Sequence, residues 1–397
     1  MKRGVMIGYF GDHPIHFLDY TLNGAQAEQL GKILNVFAAY LVVVLFTYLV
    51  KKFPRHYLVL IFAAAFAVLF LIYSILLARL NIFVVMSFYV LGDIFNTVMV
   101  ALFWAFTNDI ASPGLAKRSY GIVGLGGVLG GFVGATVVET SVEGAGRSAL
   151  LLACIIPMIL VVLLAFYVQH QVQKSKSEYE KPATKPTKTS ELWEGAQLVF
   201  KSRYLLAIAG LVLLYELTSN IIDFQLASTV EVQIREELQK DAFFGTVGRY
   251  TGIASILIQL FLTSWIMRRF SVKAALSFLP IAIFVTSLGF LISPLLFFAA
   301  AMSVSDNSMN YSINQSAKET LYTPTNPDTM YKAKAFIDMF VQRFAKVLSV
   351  GVNLGLVIIA AIQVRWLAAL GLVLVTGWYG LVNYLGRQFA KKERAAA

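Results

Sequence analysis

The sequence predicts an all-α, polytopic membrane protein. Three observations predict it. The 397 residues are 58% hydrophobic and only 14% charged, against about 45–50% and about 25% for soluble domains. That leaves too little polar surface to coat a globule in water. The mean hydropathy is +0.71. The apolar residues also gather in unbroken runs of about 20 or more, the length a helix needs to cross a bilayer. With no water in the bilayer core the backbone must bond to itself, and runs this long suit helices rather than barrel strands.

Eleven such runs can be read: about 31–50, 57–78, 82–107, 119–138, 148–169, 204–223, 243–267, 273–292, 295–317, 333–360 and 365–386. The connections between them give an orientation. Lys51-Lys52-Phe53-Pro54-Arg55, Lys117-Arg118, the Lys-rich stretch from Gln171 to Arg203, Arg268-Arg269 with Lys273, Lys318 to Lys334, and the tail Lys391-Lys392-Glu393-Arg394 are basic. The connections that alternate with them are nearly neutral or slightly acidic. Basic loops face the cytoplasm, so the C-terminus is expected there, in a bacterial inner membrane. Eleven runs would then put the basic Met1-Lys2-Arg3 outside, which favours a twelve-span plan with the first span missing over Met1–Leu30. That stretch has no apolar core of the kind a cleavable signal carries.

Gln169–Ser202 divides the chain. It is rich in Lys, Ser, Thr and Pro and ends in a short amphipathic stretch, as a cytoplasmic linker would. The expected organisation is a helical bundle over 1–168, a linker over 169–202 and a six-helix bundle over 203–397. The halves echo each other. YLVKKFPRHY (Tyr48–Tyr57) and WIMRRFSVKA (Trp265–Ala274) follow the first and seventh expected helices, and NDIASPGLAKRSYG (Asn108–Gly121) has a loose counterpart in Glu319–Ile337. Two parallel six-helix repeats are the plan of major-facilitator transporters.

Ionisable side chains inside such spans are costly and persist where they line a cavity, pair, or handle a solute. Glu216, Asn220 and Asp223 fall at i, i+4 and i+7 on one helix face, as a cavity stripe or as a cluster snorkelling at the helix end. Asp93, Asn96 and Thr97 share a face in a helix that ends near Trp104 and Asn108, and Asp93 suits a proton, a cation across the bundle, or a structural hydrogen bond. The run 295–317 is the most polar: Asp306, Asn307, Asn310, Ser312, Asn314 and Gln315 lie in it, and Lys318-Glu319 ends it. Lys334, Asp338, Gln342 and Lys346 then recur at four, with Arg343 to one side. Cations there suit a phosphate or carboxylate, Arg offering a planar fork, or a gate with Asp338. Arg249 is expected in a gate pair with Asp223 or Glu216, and Lys117 and Arg118 at a second gate. Gly126, Gly130 and Gly134 recur at four, a spacing that lets helices approach closely; no Gly-Lys-Ser/Thr follows them, so they do not form a phosphate loop. One Cys and four scattered His offer no disulfide framework, metal site or nucleophile–base set, so neither an enzyme nor a cofactor is expected. The basic residues sit at span ends, where topology places them, rather than as a nucleic-acid surface.

FWAFTNDI…AKRSYGIVGLGGVLGG (Phe103–Gly131), YELTSNIIDFQ (Tyr215–Gln225) and KETLYTPTNPDTMYKAKAFIDMFVQRFAKVLS (Lys318–Ser349) resemble motifs of the ATP/ADP translocase family of bacteria and plastids, a relative of the major-facilitator fold. The resemblance runs through most of the chain. It implies an exchanger or importer of nucleotides, with Asp93 and Asp223 at acidic positions of the family and Lys318 at its second-half lysine. Two features depart from it: the first helix with its lysine and arginine residues has no counterpart, and Leu226-Ala227-Ser228-Thr229 stands where nucleotide exchangers carry a Lys pair. The expected function is secondary active transport, by alternating access, of a polar anionic solute such as ATP or ADP, by a monomer in a lipid bilayer. The rival expectations are proton-coupled transport of an unrelated solute and a membrane scaffold or receptor that transports nothing.

Overall fold

The computed structural model describes residues 1–17, 20–110, 113–174, 189–269 and 271–396. The side chains of Asn108, Lys117 and Arg118, and the linker stretch 175–188, lie outside the described residues.

The chain is built almost wholly of helices. In order they are α1 (Lys2–Asp12), a hairpin of β1 (Ile15–Phe17) and β2 (Tyr20–Leu22), α2 (Gly24–Lys52), α3 (Arg55–Leu76), α4 (Ile82–Ile110), α5 (Pro113–Ala153), α6 (Ile155–Lys174), α7 (Thr189–Lys201), α8 (Arg203–Gln233), α9 (Glu237–Leu257), α10 (Thr263–Arg269), α11 (Val272–Ile292), α12 (Leu296–Met309), α13 (Gln315–Leu321), α14 (Pro327–Phe336), α15 (Gln342–Leu354) and α16 (Leu367–Ala396). Wide π turns at Ile258–Leu262, Asn310–Asn314 and Ile337–Val341 join α9 to α10, α12 to α13 and α14 to α15 into continuous rods, and a fourth, Gly355–Ile359, ends the last of these.

Each expected run is helical over most of its length, with 148–169 crossing from α5 into α6 at Cys154, and among the described residues eight stretches are long and apolar enough to cross a membrane: Gly24–Phe46, His56–Leu76, Ile82–Thr107, Val123–Gln171, Arg203–Gln233, Val272–Ile292, Thr329–Ile359 and Val364–Arg394. Val123–Gln171 covers two expected runs, because α5 continues through the polar segment expected as a loop and breaks at Gly146, whose φ of 78° favours glycine. α2 begins seven residues before its apolar run. Asn23 caps it, its Oδ1 accepting from the Gln26 amide at 3.0 Å while Gln26 Oε1 accepts from the Asn23 amide at 2.9 Å, a reciprocal cap that a hydropathy reading passes over. Between α1 and α2 the short β1–β2 hairpin sets Ile15 opposite Leu22, a small departure in a nearly all-α chain.

Two compact units emerge. The first comprises Met1–Gly127, Gly134–Thr184 and Ile234–Thr246. In it α1 packs on α2 and α4, and α3 on α4 and α6, around Met6, Phe10, Phe70, Tyr73, Phe88 and Tyr89. The second comprises Val128–Val133, Lys185–Gln233 and Val247–Ala397. In it α8 is central, packed by α12, α15 and α16; α11 lies against α12 and α16, and α7 lies on α14. Trp378 is fully buried there.

The glycine stripe of α5 does not mediate close helix approach: a side chain at Gly126, Gly130 or Gly134 would meet nothing within 4 Å. The close approaches use glycines of α9 instead. In the first unit a Cβ on Gly245 would come within 2.6 Å of the Glu139 amide nitrogen, and in the second a Cβ on Gly252 would come within 2.7 Å of Phe132 Cβ.

Candidate functional site

In the second unit the expected charged residues assemble as a ladder. Glu216 is buried in α8. Its Oε1 accepts from Gln342 Nε2 at 2.5 Å, and its Oε2 lies 4.0 Å from Lys346 Nζ. Below it on the same helix, Asn220 Nδ2 donates to the Glu216 carbonyl at 2.8 Å, and Asn353 Nδ2 to the Asn220 carbonyl at 3.4 Å. Lys318 Nζ stands 4.0 Å from Asp338 Oδ1, and Lys334 Nζ bonds Glu319 Oε2 at 2.6 Å. Lys334, Asp338, Gln342 and Lys346 therefore each meet a partner on α8 or α13.

The π turn is what keeps those four in line. At 3.6 residues per turn, a row spaced at four advances about 40° per step, about 120° over three steps. The wider turn at Ile337–Val341 takes back much of that drift, so Lys334 and Lys346 both stay within reach of the helices that pair with them. Such bulges recur at functional sites. The turn at Asn310–Asn314 does the same for the polar face of its rod, where Asn314 Nδ2 donates to Asn310 Oδ1 at 3.0 Å.

Arg343 lies beside the ladder, half-buried, with no ion pair among the described residues, and Lys346 is half exposed. The two together leave positive charge available to a ligand. Asp223 is half-buried on α8. Arg249 stacks its guanidinium over Tyr250 at 5.1 Å. Of the two partners expected for Arg249, Glu216 instead takes Gln342 and Lys346, because α15 lies directly against α8.

In the first unit Asp93 pairs with Lys2 Nζ, whose ammonium also sits 4.8 Å from the Tyr89 ring centroid. Arg3 forms an ion pair with Glu28, Nε lying 2.7 Å from Oε1 and Nη2 donating to Oε2 at 3.3 Å, and Tyr89 Oη donates to Oε1 at 3.3 Å. α1 thus brings a lysine and an arginine to carboxylates of α4 and α2. Asn96 is exposed and does not join Asp93. Arg147 forms a fork that the sequence reading missed, with Nε to Asp241 Oδ2 and Nη1 to Glu237 Oε2, both at 2.6 Å, and Asp241 wholly buried. Gly4 and Gly8 let α1 lie on this fork, since a Cβ at either would collide with Asp241 or Glu237. Asp306, noted in the polar span but not placed in the site, is buried and accepts from Ser219 Oγ at 2.5 Å. Its polarity was visible in the sequence, but nothing there showed which helix it faces.

The sequence profile of the TLC ATP/ADP transporter family matches residues 73–304 and 293–389. The chain belongs to that family. It is 26% identical over 356 residues to ADP,ATP carrier protein 1 of Chlamydia pneumoniae, covering 78% of this chain and 69% of that one. It is 27% identical over 350 residues to the plastidic ATP/ADP-transporter of Solanum tuberosum, covering 79% and 55%. For ADP,ATP carrier protein 1 of Chlamydia muridarum the identity is 24% over 296 residues, covering 66% and 56%. The chain spans little more than half the length of the potato and C. muridarum relatives. Among solved structures, a bacterial homolog to the human lysosomal transporter Spinster, inward-facing and unoccupied, superposes with a TM-score of 0.58 at 13% identity, covering 98% of this chain and 94% of that one. The chain therefore shares the fold of that solved structure, and this family member is an integral membrane protein. Its named relatives are carriers, not enzymes.

Proposed function

We propose that this chain is a secondary active transporter that exchanges ATP for ADP, or closely related nucleotides, across a bacterial inner membrane by alternating access. It works as a monomer with its C-terminus in the cytoplasm, and as two bundles, 1–168 and 203–397, joined by the linker 169–202. The observation that carries this reading is the family match, which runs through the whole polar ladder of α8, α13, α14 and α15. Arg343 and Lys346 supply the cations for the polyphosphate, Arg343 by a bidentate fork and Lys346 as a point charge. Glu216, Gln342, Asn220, Asn310 and Asn314 fix the polar wall around them, and Lys318–Asp338 and Asp93–Lys2 are ion pairs whose rearrangement accompanies the change of state. Arg249, with Lys117 and Arg118, serves the gates, and Asp223 and Asn108 flank the path.

The test is counter-exchange in proteoliposomes. Uptake of labelled ATP should require ADP or ATP inside the vesicle. Arg343→Gln and Lys346→Gln should each abolish uptake while the purified variants keep the elution profile of the parent and melt within a few degrees of it. Unchanged uptake in both variants would remove those roles, and uptake indifferent to internal nucleotide would remove exchange.

A further inference from the structure

We propose that Asp306 is a proton-binding site that links transport to a proton gradient. Asp306 sits in the last turns of α12, 2% exposed. One carboxylate oxygen, Oδ2, accepts from Ser219 Oγ at 2.5 Å; the other, Oδ1, is buried with no hydrogen-bond partner. Around it, α8 contributes Tyr215, Glu216 and Asp223, two of them like charges. α11, also packed on α12, has no charged residue beyond Lys273 at its start and meets α12 through Ser287 Oγ and Met302 Sδ at 3.4 Å. The following π turn brings Asn310 and Asn314, and the turn packed on it, Ile258–Leu262, adds no charge.

The contrast with Glu216 is the argument. Both are buried carboxylates of one unit, yet Glu216 has an amide donor and an ammonium group, whereas Asp306 has the hydroxyls of Ser219 and Tyr215, no cation, and two neighbouring acids among the described residues. Lys318, Lys332, Lys334 and Lys346 stand at other carboxylates. A charge left in a membrane-spanning helix without a countercharge is costly, and acids so placed mark proton pathways. A proton on Oδ1 turns the carboxylate into a neutral acid and gives the bare oxygen a hydrogen. A metal cation fits less well: no group of three His, Cys, Asp or Glu that could hold one exists among the described residues. On release the proton leaves behind three like charges, Glu216, Asp223 and Asp306, so the loaded and empty forms differ in energy, which is what biases a two-state equilibrium.

This goes beyond nucleotide exchange, which needs no ion gradient, and it is tested in two arms. The first uses no substrate. Infrared difference spectra of the purified protein, titrated with acid, should show a protonated-carboxyl band that Asp306→Asn removes and that Ser219→Ala moves in frequency and in titration midpoint. A spectrum with no such band, or a band untouched by both substitutions, overturns the proposal. The second measures labelled ATP uptake by proteoliposomes under an inward proton gradient, an inward sodium gradient, or neither. Stimulation by the proton gradient alone, lost in Asp306→Asn, supports coupling, whereas stimulation by sodium alone, or by neither gradient, overturns it. A parent protein that moves no nucleotide at all refutes the exchange reading, and the infrared arm still decides the proton site.

Discussion

Replacing Arg147 by Gln should be among the most damaging single changes in the first unit. Arg147 is itself nearly buried, and its two short bonds run to Asp241, which is fully buried, and to Glu237, which is about one-third exposed. Removing one member of a buried pair costs about 3–5 kcal/mol where the other charge is left uncompensated, an upper range here because the Met1 ammonium stays 3.4 Å from Asp241 Oδ1. At about 1.4 kcal/mol per tenfold, that is roughly two to almost four orders of magnitude in the folded-to-unfolded ratio. The other side of the fork is weaker. Glu237→Gln loses a partly solvated contact and should cost at most about 1 kcal/mol. Adding Asp241→Asn to Arg147→Gln removes the stranded charge, so the double variant should be more stable than the sum of the singles by up to about 3 kcal/mol, the range found for residues in one network. Equilibrium unfolding in mixed micelles, followed by tryptophan fluorescence, gives all four free energies. An Arg147→Gln variant within about 0.5 kcal/mol of the parent would refute the reasoning, as would strict additivity of the two substitutions.

Three further outcomes follow from the packing. Gly252→Ala pushes a methyl to 2.7 Å from Phe132 Cβ and should lower stability by about 1–3 kcal/mol, while Gly130→Ala, in open space, should raise it by about 0.5–1 kcal/mol through helix propensity; opposite shifts in melting temperature check the pair. Gln342→Leu strips Glu216 of its 2.5 Å donor and should cost about 1.5–3 kcal/mol, whereas Lys346→Gln, acting on a half-exposed cation 4.0 Å away, should cost about 1 kcal/mol or less; equal losses in thermal unfolding would show that the ammonium, not the amide, holds Glu216. Glu28→Leu takes the carboxylate from Arg3 and Tyr89 and should loosen α1 by about 3 kcal/mol, read as roughly a hundredfold faster amide hydrogen exchange in Val5–Phe10; unchanged exchange there would mean that apolar packing alone seats the helix.

Much of the ladder was legible beforehand because a helix converts spacing into direction. Glu216 with Asn220, Asn310 with Asn314, and the row Lys334, Asp338, Gln342 and Lys346 each lie at four-residue intervals, and each set is joined by hydrogen bonds or ion pairs along its helix or to a neighbouring one. What spacing could not supply was the partner. Lys2, Arg3, Glu28, Arg147, Glu237 and Asp241 come from four stretches of chain, and all four lie outside the expected spans. Asp306 was legible as a polar residue in an apolar run, but its orientation toward Ser219 was not. The glycines of α5 misled for the same reason: a stripe of small residues shows that close approach is allowed, not that another helix takes it up.

Composition and run length by themselves determined that the chain is a membrane protein of many helices, because the free energy of moving apolar surface and unpaired backbone out of water is set by local sequence. The tertiary structure alone decided where the helices break, that π turns hold the charged row in register, and which buried charges meet. Those depend on partners far apart in sequence, by 126 residues in the case of Gln342 and Glu216, and no local window contains both ends of such a bond.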